Sequence, residues 1–174
     1  MKHLSEIIVI LDNIRSIHNV ASIFRTADGA GVKKIYLCGI TPSPLSKFDK
    51  ILPQFSKVSL GAEKYVVWEK YKSAFILIKK FKSENYKILV VEQSKKSVSY
   101  NQSIVIGQMS KIVLIFGNEV NGLSSKILRL ADKILEIPMF GKKESLNVSV
   151  AFGIIVYHFA TAFYNKHKLS GVSR

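Results

Sequence analysis

Cysteine is almost absent from this chain, which has a single one, Cys38, among 174 residues. A lone cysteine cannot form an intramolecular disulfide, and it cannot build a zinc site from cysteine ligands. Because Cys38 follows the apolar stretch Ile35–Leu37, we predict a buried, unreactive thiol rather than a nucleophile. This cysteine usage fits a reducing compartment, and we expect a cytoplasmic protein.

Acidic residues are also scarce. The chain has 12 Asp and Glu against 26 Lys and Arg, which gives a net charge of +14. A surface with this balance attracts polyanions, so nucleic acid is the first candidate partner and an anionic membrane the second. A lysine-rich composition without functional meaning is the alternative. At 22% charged residues the chain is not expected to be disordered.

Long hydrophobic runs are lacking as well. The first apolar run, Ile7–Leu11, is short and lies between two acidic residues, so it does not look like a signal peptide. The longest tract, Val148–Tyr164, includes several polar residues and is shorter than the roughly 20 residues of a membrane span. We interpret it as a helix with a wide apolar face, buried in the core or against a partner chain, and expect no membrane association. His158 within it is expected to pack rather than to catalyse.

Strand-like and helix-like segments alternate along the chain. The predicted strands are Ile7–Leu11, Lys34–Leu37, Tyr65–Trp68, Ile88–Val91, Ile112–Phe116 and Ile134–Ile137, and the predicted helices are His18–Gly31, Ser73–Lys82, Leu123–Ala131 and a long one from about Val148. The alternation predicts an α/β fold with a mainly parallel sheet flanked by helices, in a single domain over residues 1–174. The proline- and serine-containing segment between the second and third strands is predicted to be a loop.

Parallel α/β sheets bind ligands beyond the carboxyl ends of their strands. After the first strand comes the segment Asn19-Val-Ala-Ser-Ile-Phe-Arg25-Thr-Ala. Because six residues are close to two helical turns, we expect Asn19 and Arg25 near one face, with Arg25 meeting a phosphate or a developing anion. The alternative is a surface Arg25 paired with Asp28, and an Asn19 that only caps the helix.

Two further loops follow strands and carry unusual residues. The first is Phe-Gly-Asn-Glu-Val-Asn-Gly-Leu over 116–123, in which Gly117 allows a ligand to approach the backbone and Gly122 can adopt a conformation closed to other residues. It lacks the ending of a Walker loop and the three-glycine spacing of a dinucleotide fingerprint. The second is Ile-Pro-Met-Phe-Gly-Lys-Lys-Glu-Ser-Leu-Asn-Val-Ser-Val-Ala over 137–151, where Ser145 is a candidate helix cap and the first amides of the helix could hold an anionic group.

In this order and spacing, the three strings resemble the motifs of the SpoU (TrmH-like) RNA 2′-O-methyltransferases of the SPOUT superfamily. The resemblance extends from about Ile7 to Tyr164. It implies a C-terminal trefoil knot, a pocket for S-adenosylmethionine, and a homodimer packed through the C-terminal and first helices. It also implies an RNA substrate, and we expect tRNA before rRNA. No metal is expected, since the positive charge of the sulfonium disappears on methyl transfer.

The resemblance also implies roles for individual residues. Arg25 matches the central catalytic residue, which either deprotonates the ribose hydroxyl or holds a neighbouring phosphate. The polar residues around it are Asn19, Glu119, Ser145 and Asn147. The implied cofactor-binding residues are Val91, Glu92, Gln93, Gly117, Asn118, Ile137, Met139, Ser145 and Leu146. Because no added RNA-binding domain is expected, the candidate RNA contacts are Arg15, Lys47, Lys50, Lys57, Lys142 and Lys143.

Two other functions compete with methyl transfer. One is an RNA-binding module that kept the fold and lost catalysis, but such a protein should have damaged motifs, whereas Arg25, Glu119, Ser145 and Asn147 are all present. The other is a nucleotide-dependent oxidoreductase or phosphotransferase. That function requires a glycine-rich turn after the first strand, where this chain has the sequence Asp-Asn-Ile-Arg over 12–15.

Overall fold

The computed structural model describes residues 6–101 and 110–169, whose seven strands form one sheet. The strands are β1 (Glu6–Asp12), β2 (Lys34–Cys38), β3 (Trp68–Tyr71), β4 (Lys87–Val91), β5 (Val98–Ser99), β6 (Lys111–Phe116) and β7 (Lys133–Glu136). The helices are α1 (Ile17–Gly29), α2 (Pro53–Ser59), α3 (Ala74–Ser83), α4 (Ser125–Leu128) and α5 (Val148–Leu169), with a 3-10 turn at Ala62–Lys64. The spatial order is β3-β2-β1-β6-β4-β7-β5, and each neighbouring pair is parallel.

The central strands are apolar at all but their terminal residues, because both faces of the sheet are covered. Val9 and Leu11 of β1 point into a core shared with α1, α2 and α5, which contains Phe24, Phe55 and Phe152. Alternate residues of the same strands point into a second core beneath α3 and α4. This double coverage is what a parallel sheet requires, and it confirms the predicted α/β fold.

The third strand lies later in the chain than predicted. β3 runs from Trp68 to Tyr71, whereas the apolar residues Tyr65–Val67 precede it and Val66 alone of these three is buried. β3 is an edge strand that pairs only with β2, so its middle residues, Glu69 and Lys70, can be charged. An apolar run is a reliable signal only for strands that are covered on both faces, which explains the error.

The segment predicted to be a loop contains helix α2. Pro53 is the first residue of this helix, a position where proline is favoured because its missing N–H has no intrahelical partner to lose. Phe55 of α2 is fully buried and stacks edge-on against Phe24 of α1, with 5.2 Å between the ring centroids. Proline thus marked a helix start here rather than a loop.

The C-terminal helix is longer than its apolar tract. α5 has 22 residues, and its segment Val148–Lys166 is long and apolar enough to cross a membrane by length and composition, although core helices of soluble proteins pass the same test. The argument from length against a membrane span was therefore wrong. Only 28% of that segment is buried within the chain. The trefoil knot stays a prediction, because strand order alone does not establish how the chain threads.

The buried hydroxyl of Thr41 fixes the backbone where the chain leaves β1. Thr41 is fully buried, and its Oγ1 donates to the carbonyl of Leu11 at 2.9 Å and accepts from the N–H of Ile14 at 3.1 Å. Ile14 is itself fully buried, so no solvent can replace this acceptor. The contact positions the chain just before α1, which carries the first of the three polar segments.

Replacing Thr41 with Val should lower the free energy of unfolding by about 1–3 kcal/mol, since it leaves the buried Ile14 N–H without an acceptor. Thr26→Val is the matched control. The Thr26 hydroxyl donates to the Ser22 carbonyl within α1, so its loss leaves no buried donor without an acceptor. The free energy of unfolding should therefore change by no more than about 0.5 kcal/mol. Urea denaturation of both variants measures the difference. Equal losses in the two would contradict the role given to Thr41.

Candidate active site

A cavity of about 690 Å³ opens at the carboxyl ends of β4, β6 and β7. Because every strand is parallel, each loop that follows a strand starts at this same edge of the sheet. The wall of the cavity is formed by the start of α1 and by the loops after β4, β6 and β7. The lining residues are Arg15, Ser16, Asn19, Val91, Glu92, Gln93, Phe116, Gly117, Asn118, Glu119, Val120, Leu135, Glu136, Ile137, Met139, Ser145, Leu146, Asn147, Val148 and Ala151.

The carboxylate of Glu119 joins the loop after β6 to the start of α1. Its Oε2 accepts from the backbone N–H of Arg15 at 3.1 Å, and its Oε1 accepts from the side-chain amide of Asn19 at 3.0 Å. Partial burial alone would raise the pKa of Glu119, but these hydrogen bonds outweigh it and lower the pKa from its ordinary value. Glu119 is therefore ionised at neutral pH, and both of its oxygens are engaged within the protein.

Asn147 brings the third loop to the same cluster. Its Nδ2 donates to Oδ1 of Asn19 at 3.1 Å, so Asn19 bridges Glu119 and Asn147. The Oδ1 of Asn147 accepts from the N–H of Ser149 at 2.9 Å, which makes Asn147 the cap of α5. The candidate cap Ser145 was wrong, since α5 begins at Val148 and the cap is the residue directly before the first helical one.

Hydrogen bonds within the loops fix their shape. Oδ1 of Asn118 accepts from the N–H groups of Val120 and Asn121 at 2.9 Å each, while its Nδ2 donates to the carbonyl of Asn13 at 2.8 Å. The Glu92 carboxylate accepts from the N–H of Leu123 at 3.0 Å. The loop after β6 is thus bonded to the exits of both β1 and β4.

Two glycines are required where this loop turns. Gly122 has φ of +62° and lies against the Glu92 carboxylate, which a Cβ would overlap. This confirms the expected unusual conformation. A Cβ on Gly117 would come within 2.5 Å of the Leu123 side chain. Both positions therefore need glycine to keep this wall of the cavity intact.

Most of the predicted site residues lie on the cavity wall. All nine predicted cofactor-binding residues do so, as do Asn19, Glu119 and Asn147 of the predicted catalytic set and Arg15 of the RNA-binding set. Sequence reasoning missed Ser16, Phe116, Val120, Leu135, Glu136, Val148 and Ala151. Phe116, Leu135 and Glu136 end their strands, and that position was the available signal. Ala151 follows Asn147 by one helical turn, a spacing that places both on one side of α5.

Arg25 does not line this cavity. It is exposed on α1, and in the described ranges, 6–101 and 110–169, it forms no ion pair, either with Asp28 or with another acid. The expectation that Arg25 shares a face with Asn19 was wrong. Six residues turn an α-helix by about 600°, which leaves the two side chains about 120° apart around the axis and about 9 Å apart along it.

Four of the predicted RNA-contacting lysines lie on loops at the cavity's edge of the sheet. Lys47 and Lys50 follow β2, Lys142 and Lys143 follow β7, and all four are exposed. Lys57 lies elsewhere, in the last turn of α2, which packs against α1. Its role as an RNA contact stays a prediction.

Cys38 and His158 take no part in the cavity. Cys38 is fully buried, and burial raises the pKa of its thiol to about 12, which confirms the predicted unreactive cysteine. His158 packs edge-on against the rings of Tyr100 and Phe159, and partial burial lowers its pKa. It packs as predicted.

Comparison with known proteins gives consistent matches over nearly the whole chain. The model of the SpoU rRNA Methylase family matches residues 6–157. The tRNA (guanosine(18)-2′-O)-methyltransferase of Aquifex aeolicus is 35% identical over 156 residues, which cover 90% of this chain and 69% of that relative.

Two solved structures are similar in fold and sequence. The A. aeolicus TrmH/SpoU tRNA modifying enzyme has a TM-score of 0.78 and 34% identity, covering 98% of this chain and 79% of that one. An AdoMet-bound rRNA methyltransferase from Sinorhizobium meliloti has a TM-score of 0.80 and 25% identity, covering 93% of this chain and 59% of that one. The chain thus spans from about three fifths to four fifths of the length of these proteins.

Replacing Glu119 with Gln should lower the melting temperature at pH 7, because the new amide group turns a donor toward Arg15 N–H or the Asn19 amide. The lowered pKa of Glu119 means that the carboxylate stabilises the fold above pH 4.5 and loses this effect as the pH falls through the folded-state value. The difference in melting temperature between the wild type and Glu119→Gln should therefore disappear below pH 4.5. Thermal melts from pH 7 to pH 3 test this, with Glu144→Gln, on the exposed loop before α5, as the control. A difference in melting temperature that persists unchanged at low pH would contradict the stabilising role given to the ionised Glu119 carboxylate.

Proposed function

The chain belongs to the SpoU rRNA methylase family, and we propose that it transfers the methyl group of S-adenosylmethionine to a ribose 2′-hydroxyl of RNA. The observation that carries this proposal is the meeting of the start of α1 and two distant loops at one cavity through Asn19, Glu119 and Asn147. Polar groups converge there beside an apolar wall, an arrangement suited to holding a cofactor and a substrate side by side.

The cavity fits the cofactor. Its volume of about 690 Å³ lies within the range of small-molecule sites. Val91, Ile137, Met139 and Leu146 would supply an apolar wall for the adenine ring, and loop backbone lies along the same wall at Gly117. When bound, S-adenosylmethionine supplies a methyl group activated on a positively charged sulfur. The residues that line the cavity would orient the cofactor and the ribose toward each other, and such alignment is where most of the rate gain would arise.

Glu119 acts as a positioning residue in this mechanism. A ribose hydroxyl must lose its proton as it attacks, but both oxygens of Glu119 already accept hydrogen bonds and the pKa of Glu119 is lowered. It is therefore a poor base. Its task is to hold Asn19 so that the Asn19–Asn147 pair can meet the ribose.

Arg25 completes the site from a second copy of the chain. It lies one helical turn before Gly29 on the same side of α1, and Gly29 is covered by Tyr157 of α5. Tyr157 belongs to an exposed apolar stripe on α5 with Val150 and Ile154. A second chain packed on this stripe buries it and brings Arg25 beside the partner's cavity, where the guanidinium holds a phosphate and lowers the pKa of the ribose hydroxyl.

The RNA is bound by the charged edge of the sheet. A net charge of +14 concentrates RNA near the surface, and the lysines after β2 and β7 are placed to meet phosphates around the cavity. We propose tRNA as the substrate before rRNA, supported by the A. aeolicus relative. The reduced, buried Cys38 fits a cytoplasmic enzyme. An RNA-binding module without catalysis is the second candidate, and the intact hydrogen-bonded cluster disfavours it.

Purified protein should transfer radiolabelled methyl from S-adenosylmethionine to unmodified tRNA, and less to ribosomal RNA. The product should resist alkaline cleavage at the modified nucleotide, because a methylated 2′-oxygen cannot attack the adjacent phosphate. Arg25→Ala should abolish the label, and Arg25→Lys should retain little of it because a planar guanidinium is needed. Cofactor binding without transfer to either RNA would favour the RNA-binding module.

Co-expressing Arg25→Ala with a second variant, Ala151→Trp, tests the proposed dimer. The bulky indole introduced by Ala151→Trp would fill the cavity. The Ala151→Trp protein expressed on its own should therefore fail to bind the cofactor, and a binding assay checks this. If Arg25 acts in the partner's cavity, each mixed dimer has one intact site, so random mixing should restore about one quarter of the wild-type activity. If Arg25 acts in its own cavity, no site is intact and the mixture stays inactive.

A further inference from the structure

Two phenylalanines are exposed on the loops that follow β2 and β7, two strands that end at the edge of the sheet where the cavity opens. Seven of the ten phenylalanines are buried and Phe75 is half-buried, but Phe48 is 85% exposed and Phe140 is 97% exposed. They are the two most exposed large apolar side chains in the described part of the chain. Neither lines the cavity, so a cofactor bound there would not cover them.

Phe48 is held out by a well-defined turn. Leu45 and Ile51 pair across the turn in an antiparallel bridge, and the N–H of Ser46 donates to the carbonyl of Lys50 at 2.8 Å. The Ser46 hydroxyl accepts from the N–H of Phe48 at 3.2 Å and from that of Lys50 at 3.3 Å. The turn therefore fixes the backbone of an aromatic side chain that contacts nothing in its own core.

Phe140 has a corresponding place after β7. It directly follows Met139, which lines the cavity, and precedes Gly141 and the two lysines of that loop. In the strand order, β2 and β7 are separated by β1, β6 and β4, so the strands that precede the two phenylalanines lie about 19 Å apart. The strands β1, β6 and β4, whose following segments line the cavity, lie between β2 and β7.

The surroundings of both rings favour a polyanion. Lys47 and Lys50 flank Phe48, with Asp49 between them, and Lys142 and Lys143 follow Phe140, before Glu144. Within residues 6–101 and 110–169, none of these four lysines takes part in an ion pair with Asp or Glu. Exposed aromatic rings interleaved with free cations are how proteins hold unpaired nucleotides, because every base presents a face for stacking.

We propose that Phe48 and Phe140 stack on unpaired bases that flank the methylated nucleotide, so that the substrate is a single-stranded loop of RNA and not a duplex. This inference rests on the proposed function. In a duplex the bases are already stacked on one another and their faces are closed to a protein side chain. The lysines bind phosphates of either form of RNA, and the two rings select the form whose bases are free.

Fluorescence anisotropy with a labelled single-stranded RNA 20-mer and the matching duplex tests the proposal. Phe48→Ala and Phe140→Ala should each weaken single-strand binding by roughly 5- to 100-fold and leave duplex binding unchanged. Trp at either position should retain the affinity, while Leu should behave like Ala. The slope of affinity against salt should also stay unchanged, because no phosphate contact is removed. Ile76→Ala, an exposed apolar residue on α3, is the matched control.

Three results would overturn the proposal. Wild-type affinity in the Leu variants would mean an apolar contact without stacking. Unchanged RNA binding together with a shifted sedimentation coefficient would assign the rings to a contact between protein chains. Equal losses for single strand and duplex would remove the selectivity. If the wild type binds S-adenosylmethionine but no RNA, the proposed function fails first, and separate titrations of cofactor and RNA distinguish that case.

Discussion

The carboxylate of Glu119 is the contact on which the geometry of the candidate site depends. It accepts hydrogen bonds from Arg15 N–H and the Asn19 amide, and Asn19 in turn receives the amide of Asn147. Residues 100 and 128 positions apart in the chain are joined in this way. Because the carboxylate stays ionised, its hydrogen bonds are of the stronger, charge-assisted kind. The start of α1 and the loops after β6 and β7, which form much of the cavity wall, are thus held to one another as well as to their own strands.

The parallel sheet is what allows such a contact to form. When all strands point the same way, the loops after β1, β4, β6 and β7 begin at one edge, although the chain leaves and returns between them. For this reason the sequence was informative about the cavity: each polar loop could be placed at a strand end from the apolar run before it. The run before Gly117 is buried over Ile112–Phe116 and the run before Glu92 over Ile88–Val90, and in such buried runs that signal is strongest. Nine cofactor-binding candidates fell on one wall by this reasoning and the motif resemblance together.

The errors share a physical cause, which is that they concern contacts made at the surface or between distant elements. β3 is an edge strand and needs no apolar run, so its charged residues gave no hydrophobic pattern from which its bounds could be predicted. Pro53 began a helix whose stability comes from burying Phe55 against α1, a contact that local sequence does not reveal. Arg25 and Asn19 looked adjacent by spacing, but the side chains of an α-helix separate by about 100° per residue, and six residues do not close a full number of turns. Asn147, rather than Ser145, caps α5 because the true first residue of the helix decides the cap.

The positive charge and the exposed aromatic rings act at different distances, and this difference decides what each can discriminate. Lysine charges are screened over about 8 Å at physiological salt, so they attract any polyanion and cannot tell a loop from a duplex. Stacking requires contact with an open base face, which a duplex does not offer. A chain with +14 net charge and no further selectivity would bind its substrate and every other RNA alike. An enzyme that must place one ribose in one cavity therefore needs a contact-range element beside it, and Phe48 and Phe140 are the described side chains best placed to supply it.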